Sequence, residues 1–454
     1  MKEFKVLAPT AILGYGFPEK SFKEALEKNP DLIAVDAGSV DPGPYYLGSG
    51  KSFTDRNAVK RDLEYILKGA KEKKIPVSIG SAGGSGAKSH LDWTVEIIEE
   101  IMAENNLNFK VVVINSQFDK DFLMDKFKEG KITPLFPTPP LTEEDLLEST
   151  NIVGQMGVEP FIKAFQMGAD VVVAGRAYDP AVFAALPIMK GYDPALALHM
   201  GKILECASIA ATPGSGRDCM LGTLGKDYFI LEPFGNRKCT TDSVAAHSLY
   251  EKSNPYILPG PGGVLDLTET TYEQYDDRRV KVRGSKFIPS EKYTIKLEGA
   301  KLIGKRTISI AGVRDPIMIR QIDEILKDVK AQVDDNFKDK DFHYNIHFHI
   351  YGKNGVMGNL EPLNLLAHEL GIIIDVVAKD KVVADTICSF VRSTLLHFGY
   401  PDRKATAGNL AFPYSPSDIY VGDVYNFSIH HLLEDIDPVE VFEISYLEDY
   451  QKGE

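Results

Sequence analysis

The sequence lacks any apolar run of 18 residues, and its first residues lack the positively charged, apolar pattern of a secretory signal. Cysteine is scarce, and the four residues present (Cys206, Cys219, Cys239 and Cys388) form no Cys-x-x-Cys pair. These absences argue against a membrane span and against a disulfide framework. We therefore expect a cytoplasmic protein.

Basic residues are outnumbered: 51 lysines and arginines face 65 aspartates and glutamates, which gives a formal net charge of −14. Non-specific binding to nucleic acid or to an anionic membrane surface needs basic patches. We therefore expect neither nucleic acid nor a membrane as a partner. The length of 454 residues allows two or three domains.

Three sequence motifs, two typical of nucleotide-binding sites and one typical of a catalytic serine, are also absent. No Gly-x-Gly-x-x-Gly follows the first predicted strand, no Gly-x-x-x-x-Gly-Lys-Ser/Thr occurs, and no Gly-x-Ser-x-Gly follows a strand. Their absence disfavours a nicotinamide dehydrogenase, a Walker-type nucleotide site and an α/β-hydrolase.

The most distinctive stretch that is present is the glycine-rich segment 79–86. It follows an apolar run at 75–79 and precedes a segment whose apolar residues, at 91, 94, 95 and 98, have helical spacing. Glycine lets a ligand approach the backbone closely, and a helix N-terminus presents unpaired N–H groups. The segment predicts a seat for a phosphate or a carboxylate, with tight turn geometry alone as the alternative.

Apolar strands alternate with amphipathic helices in the first part of the chain. The strands span 4–8, 31–36, 75–79, 110–115 and 169–174, and helices between them span 18–28, 56–73 and 157–168. Strands that are apolar along their whole length indicate a parallel sheet covered on both faces. We predict an α/β fold with a parallel three-layer sandwich sheet (Rossmann-like), because five or six strands are too few for a (β/α)₈ barrel.

The amino-acid composition changes after residue 213. Residues 225 to 313 are rich in β-branched and aromatic residues and contain alternating runs, so the stretch from about 213 to 315 is predicted to be a mainly antiparallel, β-rich insertion or second subdomain. Residues 344–351 alternate strictly, and strands and a helix follow. We predict a first domain over 1–335, including the β-rich part, and a small α+β domain of ferredoxin-like character over 342–454.

Polar residues follow the predicted parallel strands where ligands usually bind. The candidate binding residues at these strand ends and in the adjoining segments are Ser39, Arg56, Ser81, Gly83, Gly84, Ser85, Asn115, Ser116, Gly175 and Asp179. Asp36 and Asp41 are candidates to hold a divalent metal ion, with helix caps or Asx turns as the alternative. Arg176 either contacts a ligand or pairs with Asp179.

Glu205 lies in an otherwise apolar helical stretch, 194–211, where a carboxylate needs a partner or a raised pKa. We take Asp36, Arg176 and Glu205 as the candidate catalytic residues, with Glu205 or Asp36 as the base. Cys206 beside Glu205 has the character of a small buried hydrophobe. His343, His347 and His349 resemble a metal cluster, but an exposed face of an edge strand is the favoured interpretation.

Several uncommon motifs in the same order resemble the acyclic terpene utilization (AtuA-like) family. They cover residues 10 to 315 and include the stretches 13–16, 35–48, 60–63, 80–84, 168–180, 204–206 and 280–284. The resemblance implies a role in degrading branched terpenoid acids through their CoA thioesters. The C-terminal part resembles a subgroup with its own domain.

The leading hypothesis is an enzyme of the lyase type, a hydro-lyase or a carbon–carbon lyase, acting on a small or branched carboxylic acid or its acyl-CoA thioester. Proton abstraction next to a carbonyl needs a base and stabilisation of the enolate, here by Arg176 and backbone N–H groups of 83–85. The alternative is a non-catalytic binding or scaffolding subunit of a larger catabolic complex. We expect a small-molecule carboxylate or acyl-CoA as ligand, and a homo-oligomer.

Overall fold

A computed structural model describes residues 2–250 and 254–453. It divides into two compact units: residues 1–301 with 427–454, and residues 302–426. The boundary falls within two long strands. In the described ranges, none of the helices combines the length and the apolar character that crossing a membrane requires.

The strands are numbered in chain order. They are β1 (Phe4–Ala8), β2 (Leu32–Asp36), β3 (Val77–Gly80), β4 (Val111–Asn115), β5 (Ile132–Pro134), β6 (Ser149–Gln155), β7 (Val171–Ala174), β8 (Met220–Leu224), β9 (Phe229–Pro233), β10 (Ile257–Gly260), β11 (Gly263–Asp266), β12 (Thr271–Gln274), β13 (Val280–Arg283), β14 (Lys286–Pro289), β15 (Thr294–Val313), β16 (Tyr344–Tyr351), β17 (Leu370–Ala378), β18 (Asp418–Glu434) and β19 (Glu443–Tyr446).

The α-helices are numbered in the same way. They are α1 (Glu19–Leu26), α2 (Pro44–Ser49), α3 (Arg56–Lys73), α4 (Lys88–Glu104), α5 (Lys120–Lys128), α6 (Glu143–Glu148), α7 (Val158–Gln166), α8 (Asp179–Met189), α9 (Pro194–Leu204), α10 (Thr241–Ser248), α11 (Pro316–Arg320), α12 (Ile322–Phe337), α13 (Lys381–His397) and α14 (Leu447–Tyr450). Short 3₁₀ helices lie at Ala207–Ala210, Gly358–Leu360 and Gln451–Gly453.

The first unit is built on one mixed sheet, with the strand order β12-β13-β9-β8-β1-β2-β3-β7-β4-β19. The centre of the sheet, which consists of β1, β2, β3, β7 and β4 in spatial order, is parallel. The apolar character of these strands predicted this arrangement. Both flanks are antiparallel. The fold is therefore α/β, with a parallel centre inside a mixed sheet.

The stretch after residue 213 is antiparallel, as predicted. However, β8, β9, β12 and β13 extend the main sheet, while β10, β11 and β14 form a small sheet of their own. Alternation such as that at 279–282 predicted antiparallel pairing, but periodicity does not specify the partner strand. The β-rich part predicted within residues 1–335 therefore divides between the main sheet and a small sheet of its own.

Alternate residues of the parallel strands enter two separate apolar clusters. Val6 and Val172 pack with residues of α7, α8 and α9, whereas Leu7 and Val173 pack with residues of α1, α3 and α4. Because successive strand side chains point to opposite faces, each face of the parallel centre has its own core. This burial explains why these strands are apolar along their whole length.

The second unit has the order β15-α11-α12-β16-β17-α13-β18 of α-helices and strands, counting the parts of β15 and β18 that fall in it. The strand order is β16-β17-β15-β18, and the pairings of β17 with β15 and with β16 are antiparallel. One apolar cluster joins α12 and α13 to this sheet, with Val329, Ile374 and Val391 fully buried. Both helices therefore belong to the core of the second unit.

Candidate functional site

Side chains at the carboxyl ends of the parallel strands of the first unit meet around a cavity of about 550 Å³. Parallel strands end at one edge of the sheet, where ligands of α/β proteins usually bind. The described lining residues are Asp41, Leu135, Gln155, Arg176, Tyr178, Asp179, Pro180, Lys202, Glu205, Pro259, Gly260, Pro261, Thr294, Lys296 and Leu432. Of the predicted site residues, Asp41, Arg176, Asp179 and Glu205 line this polar cavity.

Arg176 follows β7 and is almost completely buried. Its Nε donates to Oε2 of Glu298 at 2.7 Å, and its guanidinium donates to Oδ1 of Asp179 at 2.8 Å and to Oγ of Ser81 at 3.1 Å. The predicted pairing of Arg176 with Asp179 is therefore present. Contact between Arg176 and a ligand stays a prediction, which its place in the lining of the polar cavity allows.

Glu298, on β15, is the buried anion opposite Arg176. Its second oxygen forms an ion pair with Lys296, and Nζ lies 2.7 Å from Oε1. Burial alone would raise the pKa of Glu298, but the charges of Arg176 and Lys296 outweigh it and lower the pKa to about 2. Glu298 is therefore ionised at neutral pH and fixes the position of the guanidinium.

Glu205 forms an ion pair with Lys202, and Nζ lies 2.5 Å from Oε1. Both residues are at least nine-tenths buried, although they belong to or adjoin the apolar helix α9. Burial opposes the charge of Lys202, but the Glu205 carboxylate outweighs it and raises the pKa of Lys202. The partner that the isolated carboxylate of Glu205 required is thus Lys202.

Asp36 ends β2 and lies behind the polar cavity, outside its described lining residues. Its Oδ2 accepts from the backbone N–H of Gly38 at 3.0 Å, and its buried Oδ1 has no hydrogen-bond partner in the described ranges. Burial, reinforced by the carboxylate of Asp179, raises the pKa of Asp36 well above its ordinary value, although Arg176 opposes the shift. Asp36 is therefore an acid that keeps its proton well above its usual range.

Tyr178, which sequence reasoning did not select, lines the same cavity between Arg176 and Asp179. Burial raises its pKa, and the Glu205 carboxylate adds to the shift, with Lys202 opposing it. Its phenol is therefore neutral at physiological pH and is able to donate a hydrogen bond.

Backbone hydrogen bonds hold the glycine-rich segment in a tight loop and connect it to Gly175, which follows β7. Ser81 donates its N–H to the carbonyl of Gly175 at 2.9 Å, Gly84 donates to Ser81 at 2.8 Å, and Gly86 donates to Ala82 at 3.1 Å. The N–H of Gly84, which we expected to stabilise an enolate, is therefore engaged within the loop. The predicted anion seat is not assembled from this amide.

Close packing accounts for the glycines in this segment. A Cβ at Gly83 would lie 2.7 Å from the side chain of His90, and one at Gly84 would lie 3.2 Å from that of Phe53. Both glycines also have positive φ, which other residues rarely adopt. The start of α4 is occupied as well, since the N–H of Lys88 donates to Oε1 of Gln117 at 2.9 Å.

The serines near this segment hold backbone in place. Ser116 donates to the carbonyl of Gly86 at 2.9 Å and accepts from the backbone N–H of Arg176 at 2.5 Å. The carbon of a side chain at Gly175 would lie 2.3 Å from the same hydroxyl. Ser85 is buried, and its hydroxyl has no hydrogen-bond partner among the described residues.

A second cavity, of about 600 Å³, adjoins the polar one through Asp41, which lines both. Its other described lining residues are mostly apolar: Ala11, Ile12, Tyr15, Ser39, Pro42, Phe53, Cys206, Ile209, Ser243, Ala246, His247 and Tyr250. Ser39 donates to Oδ2 of Asp41 at 2.7 Å and accepts from the backbone N–H of Asp41 at 3.1 Å, so the turn is formed by Ser39 and not by the carboxylate of Asp41. We call this space the apolar cavity.

Two predicted binding residues lie away from both cavities. Arg56 begins α3 and donates to Oε2 of Glu100 at 2.9 Å. Asn115 accepts from the backbone N–H of Gln117 at 3.0 Å and contacts Glu443 on β19 at 3.4 Å. Their charge or polarity at a loop or strand end suggested a ligand, but local pairing uses both side chains.

Among the described residues, no third metal-binding side chain is grouped with the proposed metal ligands Asp36 and Asp41. Within residues 2–250 and 254–453, no three side chains of His, Cys, Asp or Glu are placed to share a metal ion. His347 and His349 lie on β16, which is an edge strand as expected, and His349 lies 3.4 Å from Asp375.

Sequence reasoning missed four site residues: Tyr178, Lys202, Lys296 and Glu298. Lys202 offered a signal, because a lysine three residues before Glu205 lies on the same helix face. Glu298 offered none, since it is brought to Arg176 from a strand 122 positions later in the chain.

The fold and the cavity together define a mixed α/β protein with a charged pocket at the carboxyl ends of parallel strands. The chain belongs to the acyclic terpene utilisation family, AtuA, whose family model matches residues 51–215 and 231–407. No curated protein and no solved structure matches the chain.

Proposed function

We propose that this chain is an enzyme that acts on a small or branched carboxylic acid or its acyl-CoA thioester, by hydratase- or lyase-type chemistry through an enolate. The observation that supports it best is the pairing of Lys202 with Glu205 in the wall of the polar cavity, beside Arg176. The cavity offers a carboxylate base and fixed cations together, which α-proton abstraction requires.

The ion pair itself supports Glu205 as the base. While Lys202 neutralises it, Glu205 is a weak base, because the nearby cation favours the carboxylate over the acid. A substrate carboxylate or carbonyl oxygen that takes over the contact with Lys202 makes Glu205 more basic. Substrate binding would thus activate the base.

The reaction is written for dehydration of a β-hydroxy acid. Glu205 takes the α-proton, and the C–H electron pair moves toward the carbonyl oxygen, which accepts hydrogen bonds from Lys202 or Arg176. The enolate then forms the Cα–Cβ double bond as the hydroxyl leaves, and the proton held by Glu205 departs with it as water. Hydration is the reverse.

Asp36 has an indirect role in this scheme. It does not line the polar cavity, and its raised pKa makes it a poor base at neutral pH. It acts as a positioning residue, because its charge state influences Asp179, Arg176 and Glu205, the three side chains whose charges act on it. A divalent ion at Asp36 and Asp41 is not required by this scheme.

The apolar cavity supports a substrate with a hydrocarbon part. It shares Asp41 with the polar cavity, so one ligand spanning both would place its carbonyl group near Lys202 and its chain among apolar side chains. A free acid and a CoA thioester both combine a carbonyl group with a hydrocarbon chain, and the ligand series described below distinguishes between them.

The finer fold descriptions belong to the same proposal. Apolar clusters with helices on both faces of the parallel centre support a Rossmann-like, three-layer arrangement. The order β15-α11-α12-β16-β17-α13-β18, in which the short helix α11 leads into α12, supports ferredoxin-like character in the second unit.

The test begins with ligand binding. Straight and branched carboxylic acids, their CoA thioesters and free CoA are compared by thermal shift, since a ligand at 100 times its dissociation constant stabilises by about 2.7 kcal/mol. Ligands that bind are then incubated in D₂O, and exchange of the α-proton is followed by mass spectrometry.

We expect exchange in the wild type and its loss in Glu205→Gln, which keeps the shape of the side chain but removes the base. Glu148→Gln is the matched control, because Glu148 is half exposed and pairs with Lys301. Exchange that survives in Glu205→Gln, or the absence of binding by every acid and thioester, would contradict the proposal.

A further inference from the structure

Cys206 differs from the other three cysteines in its surroundings. Cys219, Cys239 and Cys388 are completely buried in apolar clusters, and burial raises the pKa of Cys239 and of Cys388 to about 12. Cys206 is partly exposed and lines the apolar cavity. Reactive cysteines are partly accessible and lie near a positive charge, whereas buried ones are inert. Of the four thiols, Cys206 is therefore the one placed to react with a ligand.

The positive charge near Cys206 is that of Lys202. Burial opposes the charge of Lys202, but Glu205 and, after it, Cys206 raise its pKa. This attraction is mutual, so the ammonium group also favours the thiolate form of Cys206. Cys206 directly follows Glu205, which lines the polar cavity, so the thiol lies where the two cavities adjoin.

His247, on α10, is a buried polar side chain in the wall of the same apolar cavity. It is 7% exposed, and its Nε2 has no hydrogen-bond partner among the described residues. Helix α10 packs against α9 and against the 3₁₀ helix that begins directly after Cys206. Buried polar atoms are nearly always hydrogen-bonded, so an unpartnered one in a cavity wall indicates a place where a ligand oxygen gains a hydrogen bond.

The charge state of His247 suits a donor better than a base. Burial lowers its pKa to about 4, and the charge of Lys202 adds to the shift. The ring of His247 stacks on that of Tyr250, with centroids 5.6 Å apart, and Nζ of Lys202 lies 5.9 Å from the centre of the Tyr250 ring. The imidazole is therefore neutral at physiological pH and is fixed near the lysine that favours the thiolate. With its proton on Nε2, it donates a hydrogen bond.

We propose that Cys206 accepts the acyl group of an acyl-CoA thioester on its Sγ, and that His247 donates a hydrogen bond to the carbonyl oxygen during the transfer. The choice of a thioester as the substrate rests on the proposed function. The apolar side chains of the cavity suit the hydrocarbon chain of the acyl group.

The transfer needs no oxidant or reductant. The Cys206 thiol releases its proton to water, and Sγ attacks the carbonyl carbon. An Sγ–C bond forms, the electron pair of the C=O bond moves onto oxygen, and Nε2–H of His247 donates to that oxygen. When the carbonyl re-forms, the C–S bond to CoA breaks, and the CoA thiolate takes a proton from water. The product is again a thioester, so its α-proton stays acidic enough for abstraction by Glu205.

The test incubates the full chain with acetyl-, isobutyryl- and octanoyl-CoA and follows the mass of the intact protein. We expect one acyl group to be added from at least one of the three thioesters. Hydroxylamine at neutral pH should release it, as it does other thioesters. Peptide mapping should place the acyl group on Cys206, and the peptides of Cys219, Cys239 and Cys388 are controls within the same molecule.

Cys206→Ala should abolish the acylation. His247→Phe keeps an aromatic ring beside Tyr250 but removes the donor, and it should slow acylation about a hundredfold. Asp242→Asn is the matched control, because Asp242 is exposed on the same helix and is not among the described lining residues of either cavity. It should leave the rate unchanged, and circular dichroism establishes that each variant is folded.

No acylation by any of the three thioesters, acylation that persists in Cys206→Ala, or an unchanged rate in His247→Phe would overturn the proposal. The two proposals fail separately. Exchange of the α-proton without acylation of Cys206 would overturn this inference and leave the proposed lyase chemistry standing. Acylation of Cys206 without exchange of the α-proton by any ligand would support this inference and contradict the lyase chemistry.

Discussion

Lys202 and Glu205 face each other across 2.5 Å in the wall of the polar cavity, three positions apart at the end of α9. A buried pair of this kind contributes little net stability, since desolvation of two charges offsets their attraction. Breaking it by removing one partner is costly, because the other charge stays buried. A residue pair that adds little to stability but is held in a cavity is consistent with a role in ligand binding.

We predict that Lys202→Met lowers the free energy of unfolding by about 3 kcal/mol, because it leaves the Glu205 carboxylate buried without this cation. Adding Glu205→Leu should restore most of the loss, since an apolar pair needs no desolvation. Urea denaturation of the wild type, both single variants and the double variant measures the coupling. Lys301→Met, which removes a more exposed pair with Glu148, should cost less than about 1 kcal/mol. Additive costs in the double variant would contradict the prediction.

Glu298 predicts a loss of stability in acid. Burial opposes its ionisation, but Arg176 and Lys296 lower its pKa from 4.5 to about 2 in the folded protein. A group with a lowered pKa stabilises fully above its unfolded pKa and loses that contribution as the pH falls through the folded one. We therefore expect about 3 kcal/mol to disappear between pH 4.5 and pH 2.

Denaturant unfolding at a series of pH values, for the wild type and Glu298→Gln, measures this contribution. The variant should be less stable than the wild type at pH 6, and the difference should shrink toward pH 2. Glu148→Gln is again the control, with a difference that stays small throughout. A difference between the wild type and Glu298→Gln that does not change with pH would show that the carboxylate charge is not involved.

The raised pKa of Asp36 predicts that stability changes with pH in the opposite direction. Burial and the Asp179 carboxylate raise its pKa well above 3.8, although Arg176 opposes them. The folded protein then holds a proton that the unfolded chain releases, so this group destabilises the fold progressively as the pH rises above 3.8. Asp36→Asn, which cannot ionise, should gain stability relative to the wild type between pH 4 and pH 8. Unfolding curves at both pH values measure it, and a gain at pH 4 that exceeds the gain at pH 8 would refute it.

The elements near the site were predictable because their signals are local. Helix 56–73 was predicted with the bounds that the structure has. In the structure, Asp55 caps its start and Lys74 ends it with positive φ. The apolar strands, whose residues are buried on both faces, were equally clear. Pairing partners were not predictable, because alternation in β13 indicates an antiparallel neighbour without saying which one.

The same distinction applies to the candidate site. Arg176, Asp179 and Glu205 line the polar cavity, and each was selected because it follows a strand or interrupts an apolar helix. Arg56 was selected as well, but it is not among the described lining residues and pairs with Glu100 on the neighbouring helix. Glu298 was missed because its contact with Arg176 depends on the folding of a distant strand, which no local pattern records.

Gly86 offers a test of why the glycine-rich segment is rich in glycine. Its φ is +68°, and a Cβ there would lie 2.0 Å from the backbone nitrogen of Arg176. Gly191 has a φ of +87° and nothing within 4 Å of its Cβ position. Alanine at either position meets the strain of positive φ, about 1 kcal/mol. Only Gly86→Ala also forces the backbone of Arg176 to move.

We therefore expect Gly191→Ala to lower the free energy of unfolding by about 1 kcal/mol and Gly86→Ala to lower it by at least about 3 kcal/mol, because overpacking adds to the strain. Urea denaturation of both variants measures the difference. Gly86→Ala should also weaken ligands that depend on Arg176, whereas Gly191→Ala should not. Equal costs in the two variants would mean that the segment yields easily beside Arg176, and its glycines would then need an explanation other than close packing.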